Sequence, residues 1–265
     1  MDHKEVGKYW NENAEAWTTI ARAGFDIYRD YLNTPAFFNI LPDIHGLYGI
    51  DIGCGEGFNT RLLARRGAMM EAVDISENFI AKAMEEENAD PLHIHYQVAS
   101  AIELPFENIK FDFATAFMVL MDIPETGQVF KEAFRVLKPG GFLQFSISHP
   151  CFDASHRKSL KNPMGKTYAI EVGDYFKNKN GDIDEWIFSA APAHLKHGLR
   201  KFKTPKFTRT LTQWMDAIMG AGFVIEQLNE PYPGDETVRQ QPRLQDAQLV
   251  AYFLHIRCRR PRNEV

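Results

Sequence analysis

An α/β fold built on an open, doubly wound and mostly parallel sheet is what this sequence predicts, and three observations carry that expectation. An apolar run from Gly46 to Asp51 ends in an acidic residue and breaks at once into glycines at 53, 55 and 57, the pattern of a strand, a tight turn and a helix start. Short apolar stretches then alternate with segments of helical period as far as Ser148, as parallel strands joined by crossover helices require. The second of these stretches ends in Asp74, about 20 residues beyond the glycines, where a carboxylate at a strand's carboxyl end can accept both hydroxyls of a ribose.

Bulk properties narrow the class. The chain has 265 residues, enough for a large core that buries roughly three-quarters of the unfolded surface. Its 45% apolar and 25% charged content is that of a soluble globular protein, and a net charge of −5 gives no general reason to expect nucleic-acid binding. Cys54, Cys151 and Cys258 are isolated and odd in number, which argues against a disulfide scaffold or a zinc site and for a reducing, cytoplasmic setting. The charged N-terminus lacks a signal-peptide core, and the most apolar later segment, Phe111 to Ile123, carries Asp112 and Asp122; no membrane span is expected.

Element by element, Glu5 to Arg22 places Val6, Trp10, Ala14, Trp17 and Ala21 at helical spacing. An aromatic-rich stretch with Thr34-Pro35 as a helix start follows, so residues 1–45 form a helical extension ahead of the first strand. Ile50 and Ile52 supply β-branched bulk for that strand, and the glycines strip Cβ atoms where a ligand meets backbone N–H groups at the start of a helix near Phe58 or Asn59. Thr60 to Arg66 is helical, Ala68 to Val73 a strand and Ser76 to Asn88 a helix. His93 to Val98 is a third strand, Phe111 to Ala116 a fourth and Phe142 to Ser148 a fifth, with a helix from about Pro124 to Leu137. A dinucleotide fingerprint would need a third glycine where Phe58 stands, so the spacing is G-x-G-x-G rather than G-x-G-x-x-G.

DIGCGEG, VDIS, the SAIELPF turn and RVLKPGG, in that order, resemble the class I S-adenosylmethionine-dependent methyltransferases, in particular the methyltransferase type 11 group and its quinone-biosynthesis members. The resemblance spans most of Gly46 to Ser148 and resumes over Thr210 to Cys258, implying a seven-stranded Rossmann-like sheet. It implies S-adenosyl-L-methionine as cofactor and S-adenosyl-L-homocysteine as product. Asp51 would then take the methionine amino group, directly or through water, Gly53 and Gly55 would line the methionine and ribose moieties, and Tyr28, Cys54, Gly57 and Asn59 would join them in binding the cofactor. Asp74 would hold the ribose hydroxyls, Ile75 one face of the adenine, Ser100 and Ala101 its edge, and Phe117 the methionine end. Ser100 departs from the family's usual aspartate, and its neutral hydroxyl is a weaker acceptor for the adenine amino group than a carboxylate. Tyr9, Trp10, Trp17 or Tyr28 of the extension either packs the helices or approaches the cofactor as a lid, where an aromatic face favours a sulfonium.

From His149 to Pro205 the family pattern stops, and an inserted antiparallel cap is expected, with a hairpin turn at Asn178 to Gly181 before Trp186. Residues 206–258 return to the core sheet, with strands at Phe223 to Leu228 and Gln248 to Ile256, and a solvated tail closes the chain, counted from residue 259. Lys196, Arg200, Lys201, Lys203, Lys206 and Arg209 make either a solvated face or a site for an anionic group. His149, at the end of the fifth strand, is the first candidate for a general base, against a role in holding the His149-Pro150 turn; His194, Tyr175 and Asp122 are the alternatives. No N-P-P-Y or D-P-P-Y follows the fourth strand, so a small acceptor methylated on oxygen, carbon or amine nitrogen is expected, with no metal. A cofactor-binding partner subunit without turnover and a nicotinamide-dependent oxidoreductase are the competing readings. Acceptor identity and oligomeric state are not encoded in any of these patterns.

Overall fold

The computed structural model describes residues 1–262. An N-terminal helix, α1 (His3–Arg22), is capped by Asp2, whose side chain accepts the Glu5 N–H while Glu5 reaches back to the Asp2 N–H. A π-helical turn (Arg29–Asn33) and α2 (Thr34–Asn39) lead into the α/β core. The core comprises β1 (Tyr48–Ile52), α3 (Phe58–Arg65), β2 (Met69–Asp74), α4 (Glu77–Ala89), β3 (His95–Val98) and β4 (Phe111–Phe117). A 3₁₀ turn (Leu120–Asp122), α5 (Thr126–Val136) and β5 (Leu137–Ser148) follow. After an insertion come α7 (Leu211–Gly220), β10 (Val224–Asn229), α8 (Asp235–Gln240) and β11 (Phe253–Arg259).

The sheet has seven strands in the order β10-β11-β5-β4-β1-β2-β3, with β11 antiparallel to both of its neighbours and the other pairs parallel. Alternation along the strands sorts the core into two layers. Ile50, Ile52, Ala114, Leu143 and Phe145 face α5 and α7, whereas Phe113 and Phe142 face the other side with Leu63, Phe37 and Phe38. This is the doubly wound architecture expected from the glycine turn and the β-α alternation. The strand order reverses between β1 and β4, which opens a crevice at their carboxyl ends.

The insertion holds two hairpins. β6 (His156–Lys161) pairs with β7 (Thr167–Gly173), and β8 (Asn180–Trp186) pairs with β9 (Phe202–Phe207) across a loop that carries the short α6 (Ala193–Lys196). The turn expected at Asn178 to Gly181 is the start of β8 instead. The tight turn lies at Asn162-Pro163-Met164-Gly165, where the Asn162 carbonyl oxygen of the side chain accepts the N–H of Met164 and of Lys166.

Helix α1 ties the two halves together. Asn13, buried, donates to the Lys203 carbonyl and accepts the Lys203 N–H, both at 3.0 Å. Asn11 accepts from Ser76 and Asn78 at the start of α4. At the other end of the chain, the last strand begins later and runs further than expected. Residues 242–248 form a 3₁₀ segment, and β11 continues through Arg259. Arg259 pairs with both β10 and β5, and Arg260 then donates to the carbonyls of Phe134 and Leu137, so residues 259 and 260 are held by the core rather than forming a solvated tail. The remainder of that tail, residues 263–265, lies outside the described residues.

Candidate active site

At the carboxyl end of β1 the chain turns on Gly53, whose φ is +72° and whose N–H donates to the Val73 carbonyl at 2.8 Å. A Cβ at Gly53 would stand 2.3 Å from a Val119 methyl, so the residue must be glycine on both counts. Gly55, φ +55°, differs: a Cβ built there meets nothing within 4 Å and projects into the crevice. The Gly55 N–H donates to Asp74 Oδ2 at 2.9 Å, and the Ser76 N–H donates to Asp74 Oδ1 at 2.8 Å. One oxygen lone pair of each is thereby fixed and the rest of the carboxylate faces the crevice. Burial raises the Asp74 pKa against the pull of these N–H groups.

The crevice is a cavity of about 670 Å³, within the range of small-molecule sites. Of the residues expected at the cofactor, Tyr28, Gly53, Cys54, Gly55, Asn59, Asp74, Ile75, Ser100, Ala101 and Phe117 line it. Ser100 Oγ accepts the Ile102 N–H at 3.4 Å, which leaves its hydroxyl proton free to turn toward the cavity. Tyr28 stacks on Tyr252 at 4.9 Å and donates to the Arg243 carbonyl, tying the N-terminal extension to the C-terminal loop. Asn59 accepts from Thr34, joining α2 to α3.

Two expected residues stand elsewhere. Asp51 lies behind the turn, buried, with Oδ2 accepting the Thr60 hydroxyl at 2.5 Å and Oδ1 the Thr115 hydroxyl at 2.7 Å. It braces β1 against α3 and β4 rather than facing the cavity, and burial pushes its carboxyl up to about 6. Gly57 packs on Tyr96, whose hydroxyl would be 2.6 Å from a Cβ there.

The general-base candidates also separate. His149 is buried at the end of β5 but does not line the cavity. Its Nε2 bonds to Glu230 Oε1 at 2.8 Å, and its Nδ1 accepts the Cys151 N–H at 3.2 Å. Both ring nitrogens are thus committed, and the residue fastens the turn after β5 to the loop after β10. Tyr175 accepts the Leu211 N–H, and neither it nor His194 lines the cavity. Asp122 does.

The basic stretch disperses over α6, β9 and the segments flanking β9. Arg200 pairs with Glu12 at 2.8 Å and Lys203 with Glu185 at 3.6 Å. Arg209 donates to the carbonyls of Ile123 and Pro124. Lys206 lines the cavity.

A charged cluster that the sequence did not single out closes the lid end. Arg29 lies 3.9 Å over the Phe58 ring, within 3.2 Å of Glu56 and 2.8 Å of Asp30, and its N–H donates to Asp26. Burial lifts the Asp26 carboxyl to about 6. Arg29, Asp26 and Glu56 all line the cavity and offer both signs of charge to a zwitterion. The signal of Asp26 and Arg29 lay inside the aromatic stretch 25–31, where charge was masked by ring density, and that of Glu56 inside the glycine turn. Trp10 and Trp17 line the cavity too, and Trp17 also packs against Trp186, Phe188 and Phe202 of the cap at 4.9–5.5 Å. Packing and lining are therefore one surface; Tyr9 is not part of it.

Among the described residues there is no cluster of His, Cys, Asp and Glu that could hold a metal, and no helix long and apolar enough to cross a membrane.

Residues 50–145 match the family Methyltransf_11, described as a methyltransferase domain. A ubiquinone biosynthesis O-methyltransferase of Coxiella burnetii is 32% identical over 111 residues, 42% of this chain and 47% of that protein. A demethylmenaquinone methyltransferase of Lactococcus lactis is 34% identical over 145 residues, 50% of this chain and 57% of that protein. The chain thus spans about half the length of these curated relatives. A crystal structure of an S-adenosylmethionine-dependent methyltransferase from Mesorhizobium loti superposes with a TM-score of 0.68 at 26% identity, covering 85% of this chain and 96% of that one. With that family match over the glycine turn and this structural likeness, the chain carries over residues 50–145 a Methyltransf_11 domain of the class I S-adenosylmethionine-dependent type.

Proposed function

We propose that this protein transfers the methyl group of S-adenosylmethionine to an oxygen, carbon or amine nitrogen of a small organic acceptor. One observation carries the reading: a single cavity joins a glycine-and-carboxylate cradle at one end to an aromatic chamber under the cap at the other. Asp74 would hold the ribose hydroxyls, Ile75 and Ala101 would enclose the adenine beside Ser100, and Gly53 and Gly55 would carry the chain of the cofactor past the turn. The Arg29, Asp26 and Glu56 cluster suits the amino and carboxylate groups of its methionine end, a place Asp51 does not reach.

When bound, the cofactor supplies an electrophilic methyl on a sulfonium, so this chain needs no covalent nucleophile of its own. What its residues contribute is alignment and exclusion of water. Trp10, Trp17 and Trp186 wall the chamber, and α1 holds the cap over it through Asn13. Fixing the acceptor behind the methyl group supplies much of the acceleration in such an in-line displacement. A nicotinamide dinucleotide is disfavoured because the Phe58 ring, under Arg29, occupies the position where the third glycine of that fingerprint is required.

Calorimetric titration tests the reading. Saturable binding of S-adenosylmethionine and none of the oxidised dinucleotide is expected, followed by transfer of labelled methyl to members of an acceptor panel. Binding of the dinucleotide alone overturns the cofactor, and cofactor binding without transfer to any acceptor supports a partner subunit without turnover.

A further inference from the structure

Asp122 stands apart from the other buried carboxyls. It is 6% exposed and lines the chamber end of the cavity, yet among the described residues its side chain accepts no hydrogen bond and makes no ion pair within 4.0 Å. Asp51, Asp74 and Asp26 all accept bonds from the protein. A buried carboxyl without a donor is costly unless a ligand supplies one. Lys206, on the facing strand β9, lines the same end and likewise makes no ion pair within 4.0 Å among the described residues. The chamber therefore presents an uncommitted proton acceptor and an uncommitted cation to whatever lies between the aromatic walls.

Resting on the methyl-transfer reading of this cavity, we propose that Asp122 removes the proton of an aromatic or enolic hydroxyl acceptor while Lys206 holds the resulting oxyanion. The acceptor O–H bond breaks, its electron pair stays on oxygen and its proton passes to Asp122. That oxygen then forms the O–CH₃ bond as the S–CH₃ bond of S-adenosylmethionine breaks with its pair left on sulfur. The chemistry fits a hydroxyl better than an amine. An amine arrives as an ammonium ion, which Lys206 and the nearby Arg209 repel, whereas a developing oxyanion is stabilised by a cation in a desolvated site.

The charged groups around Asp122 are Lys206 on β9, Arg209 before α7 and Asp153 after β5, with His3 of α1 lining the same cavity. Burial first, then Asp153, raises the Asp122 carboxyl, and Lys206 and Arg209 oppose this, leaving it at about 7. That value suits a base working near neutrality. A second cavity of about 30 Å³, bounded by Asp122, Asp153, Lys206 and Ser148, has room for one water through which the proton can leave.

The test uses 4-nitrophenol, whose phenolate is read by its visible absorbance, added to the full chain saturated with S-adenosylhomocysteine at a pH where the free probe is ionised. Wild type should bind the phenolate with uptake of about one proton, measured calorimetrically in buffers of different ionisation enthalpy. Asp122→Asn should bind it with no proton uptake, and Lys206→Met should bind it at least about tenfold more weakly. Unchanged proton uptake in the first variant overturns the assignment of Asp122, and unchanged affinity in the second overturns that of Lys206. Should Asp122→Asn not fold, the wild-type uptake and the Lys206→Met affinity still decide. Binding of benzylamine in preference to 4-nitrophenol overturns the hydroxyl assignment. If S-adenosylmethionine binds normally but neither probe does, the inference fails and the methyl-transfer reading stands; if the cofactor itself does not bind, both fail.

Discussion

The backbone N–H of Gly55 donates to Asp74 Oδ2 at 2.9 Å, so the glycine turn after β1 and the acidic end of β2 are a single unit. Asp74 thereby has two tasks, holding the shape of the turn and presenting its remaining lone pairs to the cavity. The two strands are already paired in register from Tyr48 and Met69 to Ile52 and Val73, and this bond extends the pairing past the strand ends.

Asp74→Ala should therefore cost more affinity than a lost ribose contact alone. It removes two charge-assisted acceptors and leaves the Gly55 and Ser76 N–H groups without partners. A loss of about 3 kcal/mol or more in S-adenosylmethionine binding is expected. Titration calorimetry reads it, and a change under about tenfold would contradict the ribose role.

The two glycines of the turn should respond oppositely to a methyl group. Gly53→Ala forces a Cβ to 2.3 Å from Val119 at a φ of +72° and should lower stability by roughly 2 kcal/mol or more. Gly55→Ala meets no protein atom, so it should cost only about 1–2 kcal/mol of backbone strain while closing the cradle to the cofactor. Chemical denaturation and cofactor titration on the pair separate folding from binding. Equal stability losses with retained binding in Gly55→Ala would contradict the cradle.

Asp51 should make stability fall with rising pH. Burial raises its folded-state pKa to about 6 from an ordinary 3.8, against the two hydroxyls that it accepts. The folded protein thus keeps a proton that the unfolded chain has released. The stabilisation is fully present below the unfolded value and is lost as pH rises through about 6. The loss from this one group is on the order of 3 kcal/mol. Asp26 adds a slope of the same sign, so the comparison must be with Asp51→Asn, whose stability should decline less between acid and neutral pH. Parallel curves for the two proteins would refute it.

His149→Asn should weaken the fold and spare turnover. Its imidazole holds Glu230 and the Cys151 N–H, and their loss should cost about 1–2 kcal/mol. Because the ring does not line the cavity, kcat on any acceptor should change less than about threefold once cofactor is saturating. A loss of kcat by two orders of magnitude with unaltered melting would restore His149 as the base.

What the sequence made legible was local. The glycine turn, the acid at the end of β2 and the strand alternation each depend on neighbours a few residues apart, and they place the sheet and most of the cradle. Side-chain direction at a strand end depends on distant partners. His149 stands at the expected strand end, but Glu230 turns it aside; Asp51 precedes the turn as expected, but Thr60 and Thr115 claim both its oxygens. The cap was hardest to read because β6 and β8 carry no buried residue to mark a core-facing side. Its best local signal, the Asn162-Pro163-Met164-Gly165 turn, is typical of a β-turn. Lys206 emerged from the basic stretch only through the register of β9 against β8, which no short-range pattern reveals.

Ser100 gives the sharpest test of how the cavity holds adenine. It lines the cavity, and its Oγ already accepts the Ile102 N–H at 3.4 Å. A neutral hydroxyl so engaged is a weak acceptor for an exocyclic amino group. Ser100→Asp would accept the same N–H through one oxygen and offer the other to the ligand, a charge-assisted bond in place of a neutral one. S-adenosylmethionine should bind about 1 kcal/mol more tightly. The tightening should vanish for an analogue whose adenine amino group is replaced by hydrogen, since only the ring then remains to be stacked against Ile75. If both ligands gain equally, the added carboxylate acts on the turn rather than on the base; if neither gains, Ser100 is not at the adenine edge.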